Sequence, residues 1–427
     1  MGTITGIVNF LAKVRSLSFI QIMQRTLVIL FPFALFGAFA QVFAASFLSV
    51  GGFFGSIFDV DAWLPHYEAL RVLFDDISQL TLGMLTVAGA FQAAKYTAKY
   101  YHKDDQMAGL TGAVGYCLIF FHHTTTETGI AVEMRYYDYH WLLVGVLIGY
   151  GVGQLFRWFG QSENATAADS ALILNRAFLA MRPIAITLFW ALALHTGFAL
   201  LRYAKIDQYI TTGVQDLANQ KASLPITFGA ALLTTVLGWF GFTGPLAYTS
   251  KISEIEIWDN LDTALSQGSS WHAPHPYTAL SLYHSFGTFG GTGALLALLI
   301  GLILLSRNRN SRLVAQWSFF PAIFNASLPT MLGIPILLNP LFFLPFTLIP
   351  LVNMGLAAGA IALHWMPPVV YPVPAGTPGP LVAFIGTNGN VPALLFGIGL
   401  LVVDVCLYWP FIRLAENVNQ HLREEAM

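Results

Sequence analysis

The side chains with chemistry to offer in this chain are the polar ones that interrupt its apolar runs. Asp404 stands inside the last apolar run, where a carboxyl group is costly unless it faces protein or water. His275 and His284 stand before and within another run; each fits a water-satisfied histidine or a ring nitrogen that meets a ligand. Asn325 and Ser327, in FNASLP, fit caps of a broken helix or amide and hydroxyl partners of a polar ligand. Helix ends there leave N–H groups that can receive ligand oxygens. Thr243, in GWFGFTGP, fits a backbone-bonded threonine or a ligand contact. His122 and His123 beside Glu127 are spaced too loosely for a metal, so no metal and no other cofactor is expected. The GGTGA string at 290–294 lacks the lysine of a phosphate loop and reads as a packing or hairpin motif. No hydrolase-like triad or nucleotide fingerprint is present, and no autonomous catalytic residue is expected. This is chemistry of binding rather than of bond-making.

The elements that position these groups follow from charge and proline. Between Leu313 and Val403 there are 91 consecutive residues without Asp, Glu, Lys or Arg, and 13 of the 21 prolines lie there. A soluble surface of that length needs charge. Proline inside a helix removes a hydrogen bond and clashes with the preceding turn. Together they describe backbone that enters a membrane, breaks, and lines an enclosed cavity. The whole chain agrees: 56% of it is hydrophobic and only 10% charged, against about 25% charged in an average soluble domain. No basic cluster is large enough for nucleic acid. Cys117 and Cys406 sit in apolar runs and imply no disulfide framework.

The hydropathy runs predict an all-α polytopic membrane protein of about nine to ten transmembrane helices plus re-entrant hairpins. The runs cover 26–49, 79–98, 107–121, 141–159, 183–201, 224–248, 281–305, 341–363 and 391–411, and 314–340 reads as a re-entrant hairpin. Lys and Arg in short loops set the orientation. Lys13, Arg15 and Arg25 place the N-terminus in the cytoplasm; the SRNRNSR loop at 306–312 and the C-terminus after Arg413 belong on the same side. Simple alternation cannot satisfy all the loops, so at least one run between 183 and 305 is re-entrant, interfacial, or two passes fused. The chain reads as one membrane domain: 1–223 as scaffold and dimerisation helices, 224–412 as the cavity half, and 413–427 as a cytoplasmic tail.

Three strings then carry a resemblance: FGTFGGTGALLALLIGLILLSRNRN at 286–310, FFPAIFNASLPTMLGIPILLNPLFFLPFTLIPLVN at 319–353, and VVYPVPAGTPGPLVAFIGTNG at 369–389. In order and spacing they resemble the membrane IIC component of bacterial sugar phosphotransferase systems, lactose/cellobiose family. There GGSGATL precedes a span and a basic loop, followed by PGIFNINEPIIFGLPIVLNP and VPWTTPPPISGFLATG. Upstream, MQRTLVILFPFALFGAF, WLLVGVLIGYGVGQLFRWF and NRAFLAMRP resemble other family spans, so the resemblance covers essentially the full chain. It implies a homodimer in the bilayer of the bacterial inner membrane that binds a sugar, a disaccharide or β-glucoside, in an occluded cavity. The sugar is carried across by an elevator-like movement and phosphorylated by a separate IIB protein fed by IIA. The IIC component itself supplies no phosphorylated residue.

The resemblance also implies where sugar is met, and there this sequence departs from the family. The family histidine falls on Thr243, the aspartate and asparagine on His284 and Thr288, and the Asn-Glu pair of NINEP on Ser327 and Leu328. Asn325 keeps the first asparagine, and Ala375 replaces a tryptophan. The expected substrate-binding set is therefore Thr243, His284, Thr288, Asn325, Ser327 and Leu328. Leu328 cannot accept a hydrogen bond. Two functions stay open: a sugar permease with a rewritten cavity, and a non-transporting membrane sensor derived from one.

Overall fold

The apolar runs fold as helices, as their length and composition require, but several are shorter or more broken than hydropathy suggests. The computed structural model describes residues 11–126, 129–161, 170–204, 223–246 and 254–425, with Gly6 and Thr212. Among them, six helical stretches are long and apolar enough to cross a membrane: Ser18–Phe47, Tyr67–Tyr100, Tyr139–Phe159, Ala177–Tyr203, Pro340–Ala362 and Val391–His421. Leu224–Trp239 and Leu295–Leu305 are apolar but shorter. Where a run and its helix differ, the reason is physical. The 107–121 run is a helix of 16 residues, Asp105–Phe120, that begins on an acidic turn. The 281–305 run is cut by a glycine loop. Of the cluster of His122, His123 and Glu127, Glu127 lies outside the described residues. The flanking backbone forms a two-stranded antiparallel hairpin, His123–Thr126 with Gly129–Val132.

The chain divides into two compact units. One comprises Arg15–Phe33 and Gln79–Ile210; the other comprises Met1–Val14, Ala34–Ser78 and Thr211–Met427.

The first of these is held by small residues on facing helices. Gly145, Gly149 and Gly153 recur every four residues along the helix Leu142–Phe159 and so share one face. A Cβ on Gly149 would stand 2.2 Å from the Ala90 carbonyl oxygen, and one on Gly145 2.6 Å from that of Thr86. Gly112 on Asp105–Phe120 would meet Ala94 Cβ at 2.7 Å. The helix Leu85–Tyr100 is thus met by a glycine-bearing face of each of two neighbours, the close approach by which membrane helices gain dispersion energy. Near this contact an aromatic cluster closes around Tyr116, whose hydroxyl donates to the Tyr136 carbonyl.

The second unit carries the broken backbone. A π-helix, Leu280–Gly287, runs into the loop 288–294 and then the helix Leu295–Leu305. The proline-rich run 314–340 is not one hairpin of equal arms. It is the helix Arg309–Ile323, a tight turn, and the one-and-a-half-turn helix Leu328–Gly333. Pro329 and Pro340 occupy helix starts, where their missing N–H costs nothing. The long helix Pro340–Ala362 and the last helix, Val391–Glu425, pack against these pieces.

Ala34–Ser78 belongs to this unit through aromatic and backbone contacts. Phe39 stacks on Phe320 at 5.2 Å, and Phe54 faces Phe324 at 6.2 Å. The Phe53 N–H donates to the Ala375 carbonyl at 2.8 Å, and the Ala375 N–H to that of Gly51 at 3.0 Å. Gly376, at φ +64°, allows this approach, since a Cβ there would be 2.7 Å from Ser46 Cα.

Candidate functional site

Four broken pieces of backbone converge on one cavity of about 390 Å³ inside the second unit. The π-helix brings Tyr283 and His284, and the loop after it Thr288, Gly291 and Thr292. The turn between the two proline-flanked helices brings Phe324, Asn325 and Ser327. The segment 373–377 brings Pro374, Gly376 and Thr377, and the 242–246 loop ends at Leu246.

Each piece is fixed by an identifiable cause. Asn325 adopts a left-handed conformation, φ +62°, which asparagine tolerates better than most residues. Its Oδ1 accepts the Gly290 N–H at 3.0 Å and the Gly291 N–H at 3.3 Å. The two loops that carry most of the polar lining are therefore clamped by one amide oxygen. Gly291, at φ +89°, lets them touch: a Cβ would be 2.6 Å from Ser327 Cβ. On a third side, the Leu246 N–H donates to Thr234 Oγ1 at 2.9 Å, which seats that loop on the helix Leu224–Trp239. Ser281 Oγ accepts the Val369 N–H at 3.1 Å and ties the π-helix to the chain that leads into 373–377.

Among the described residues, the lining holds no Asp, Glu, Lys or Arg. Its polar groups are an imidazole, a phenol, an amide and the hydroxyls of Thr288, Thr292, Ser327 and Thr377. Thr288 donates its proton to the His284 carbonyl at 3.1 Å, and Thr377 donates to the Pro374 carbonyl at 2.7 Å. Both therefore offer lone pairs to a ligand, as acceptors for hydroxyl donors. The Nε2 of His284 is buried without a partner. An unpartnered buried ring nitrogen beside a cavity is a natural anchor for one ligand hydroxyl.

Of the six residues expected from sequence, His284, Thr288, Asn325 and Ser327 line this cavity together. Thr243 and Leu328 are half-buried and are not among the lining residues. Thr243 stands three positions before Leu246, and Leu328 opens a helix immediately after Ser327. His275 is engaged elsewhere: its Nε2 meets Asp259 at 3.0 Å, and its backbone exchanges two 2.8 Å hydrogen bonds with the Asn260 side chain. Sequence reasoning missed Tyr283, Thr292, Phe324 and Thr377. The signal for Thr377 was available, because it lies in the proline-rich PVPAGTPGP segment.

Six membrane-length helices among the described residues, with broken helices around a polar cavity, describe a polytopic membrane protein. The sequence model of the phosphotransferase system EIIC family matches residues 24–350. The chain belongs to that family and is an integral membrane protein. It is similar to the cellobiose-specific EIIC component of Lactococcus lactis subsp. lactis (strain IL1403), 34% identical over 138 residues, which is 32% of this chain and 28% of that one. The lactose-specific EIICB component of Lacticaseibacillus casei is 27% identical over 237 residues, 55% of this chain and 40% of that one. The oligo-beta-mannoside-specific EIIC component of Bacillus subtilis (strain 168) is 24% identical over 390 residues, 86% of each. The chain thus aligns with less than half the length of the first two. Among solved structures, the IIC component from the N,N'-diacetylchitobiose-specific phosphotransferase system is 20% identical, with a TM-score of 0.44, over 97% of this chain and 96% of that one.

Proposed function

We propose that this protein is the permease component of a sugar phosphotransferase system and carries a disaccharide or β-glucoside across the bacterial inner membrane. The observation that supports it most is the cavity itself: about 390 Å³, free of charged side chains among the described residues, with hydroxyl, amide and imidazole groups around apolar walls. A neutral sugar presents many hydroxyls and two apolar faces, and each buried hydroxyl left unpaired costs about 1–3 kcal/mol. The names of its relatives, specific for cellobiose, lactose and oligo-β-mannosides, support the same class. They do not favour the sensor alternative.

In this reading His284, Thr288, Asn325 and Ser327 bind the sugar, and Thr243 and Leu328 sit at its margin. A separate IIB protein, fed by IIA, phosphorylates the sugar on arrival, so the chain is at most the membrane component of an enzyme system. Residues 224–412 form the cavity half, 1–223 serve as scaffold and homodimer contact, and 413–427 form a tail. Exposed apolar side chains such as Phe189, at 69%, and Leu192, at 55%, on Ala177–Tyr203 suit contact with lipid. The termini and the 306–312 loop face the cytoplasm, which the excess of Arg in that loop supports.

Titration of the purified protein with cellobiose, chitobiose and lactose tests the cavity assignment. At least one should bind, and His284→Ala should weaken it about tenfold, the value of one lost hydrogen bond to a buried nitrogen. No binding of any of the three by folded protein would remove the sugar reading.

A further inference from the structure

We infer that Asp404, Asn353 and Tyr408, none of which lines the cavity, are positioning residues that hold its two polar walls in register. The inference rests on the reading of the cavity as the sugar site. All three residues are fully buried, at 0% exposure. Asn353 Nδ2 donates to Asp404 Oδ2 at 2.8 Å and to the Phe286 carbonyl at 3.1 Å. Phe286 lies in the last turn of the π-helix, two residues after His284 and two before Thr288. One turn further along the last helix, the Tyr408 hydroxyl donates to the Gly293 carbonyl at 2.5 Å. Gly293 follows Thr292 in the glycine loop.

Residues four apart on a helix share a face. One face of the last helix therefore fixes the end of the π-helix through Asn353 and the glycine loop directly. A π-helix is a strained form that persists only where its surroundings over-determine it. Here the surroundings are a polar brace in an otherwise apolar core, and a polar group placed there must serve some purpose to offset its desolvation.

The brace also dictates what Asp404 must be. Its Oδ1 and the Asn353 Oδ1 are buried without partners. A lone carboxylate in such a place is far costlier than a neutral acid. Asparagine has the shape and the amide oxygen needed to accept from Asn353 Nδ2. The brace therefore needs a hydrogen-bonding group at 404 rather than a charge.

The test is cellobiose affinity together with hydrogen–deuterium exchange of the full-length protein in detergent. Asp404→Leu and Tyr408→Phe should each weaken binding about tenfold and speed exchange at 280–294 while distant helices keep their protection. Asp404→Asn should stay within about twofold of the parent. A residue that only stabilises the fold would lower the melting temperature without moving the affinity. Unchanged affinity in both disruptive variants, unchanged exchange at 280–294, or an Asp404→Asn variant as weak as Asp404→Leu would each overturn the inference. Should Asp404→Leu not fold, Tyr408→Phe, which removes one hydroxyl, decides. If the parent binds none of the three sugars, the sugar reading has failed, and exchange at 280–294 alone decides whether the brace exists.

Discussion

The Asn325 side-chain oxygen accepts the backbone N–H of Gly290 at 3.0 Å, across a sequence separation of 35 residues. The GGTG and FNASLP strings are two halves of one structure, joined at this bond. Asn325→Asp keeps the acceptor and should preserve both fold and sugar affinity to within about 1 kcal/mol. Asn325→Ala leaves two amide N–H groups without their acceptor and puts alanine at φ +62°. It should cost about 2–4 kcal/mol of stability and abolish measurable sugar binding. Thermal unfolding and titration of the same preparations check both.

Gly149 and Gly151 lie on one helix with opposite surroundings. A Cβ at 149 would stand 2.2 Å from the Ala90 carbonyl oxygen, whereas nothing lies within 4 Å of one at 151. Gly149→Ala should destabilise the protein by about 1–3 kcal/mol through overpacking. Gly151→Ala should be neutral or stabilise by up to about 1 kcal/mol, because alanine is the better helix former. Melting temperatures of the two variants side by side measure the difference.

These examples show which levels of structure sequence reaches. The membrane class followed from the uncharged 313–403 stretch, and the broken backbone from its prolines. Their clustering left no other way to satisfy the chain in lipid. Four of the cavity residues were reached through motifs. The Asp404–Asn353 bond was not, although Asp404 was conspicuous. A single carboxylate in an apolar run says that it has a partner but not which residue, 51 positions away, supplies it. Phe324 and Tyr283 were missed because aromatic residues in apolar runs look alike until the backbone turns. Hydropathy sums composition over a window and does not see a break. The loop at Gly290–Gly293 divides an apolar run without changing its hydropathy.

Glu416 accepts from Ser306 Oγ at 2.9 Å and from the Arg307 N–H at 2.7 Å, so the 306–312 loop and the segment after Arg413 lie at the same end of their unit. Glu416→Ala should loosen the loop with little effect on stability, under about 1 kcal/mol for a partly exposed contact. Trypsin cleavage after Arg307, Arg309 or Arg312 should speed up, and only in inside-out vesicles. Cleavage in right-side-out vesicles would reverse the assigned orientation.

Leu328 is half-buried and outside the cavity lining, although it stands where the resemblance expects a glutamate. Leu328→Glu should leave cellobiose affinity within about twofold and cost at most about 2 kcal/mol of stability. A clear gain in affinity would bring position 328 into the binding site.

The central claim, that this chain moves sugar for phosphorylation, is tested most directly by uptake. Vesicles containing the protein, supplied with phosphoenolpyruvate, the general phosphotransfer proteins, IIA and IIB, should accumulate labelled cellobiose, chitobiose or lactose as its phosphate. The signal should vanish without IIB. Folded protein that accumulates none of them, beside an active family member in the same vesicles, would show that the cavity is not a permease site.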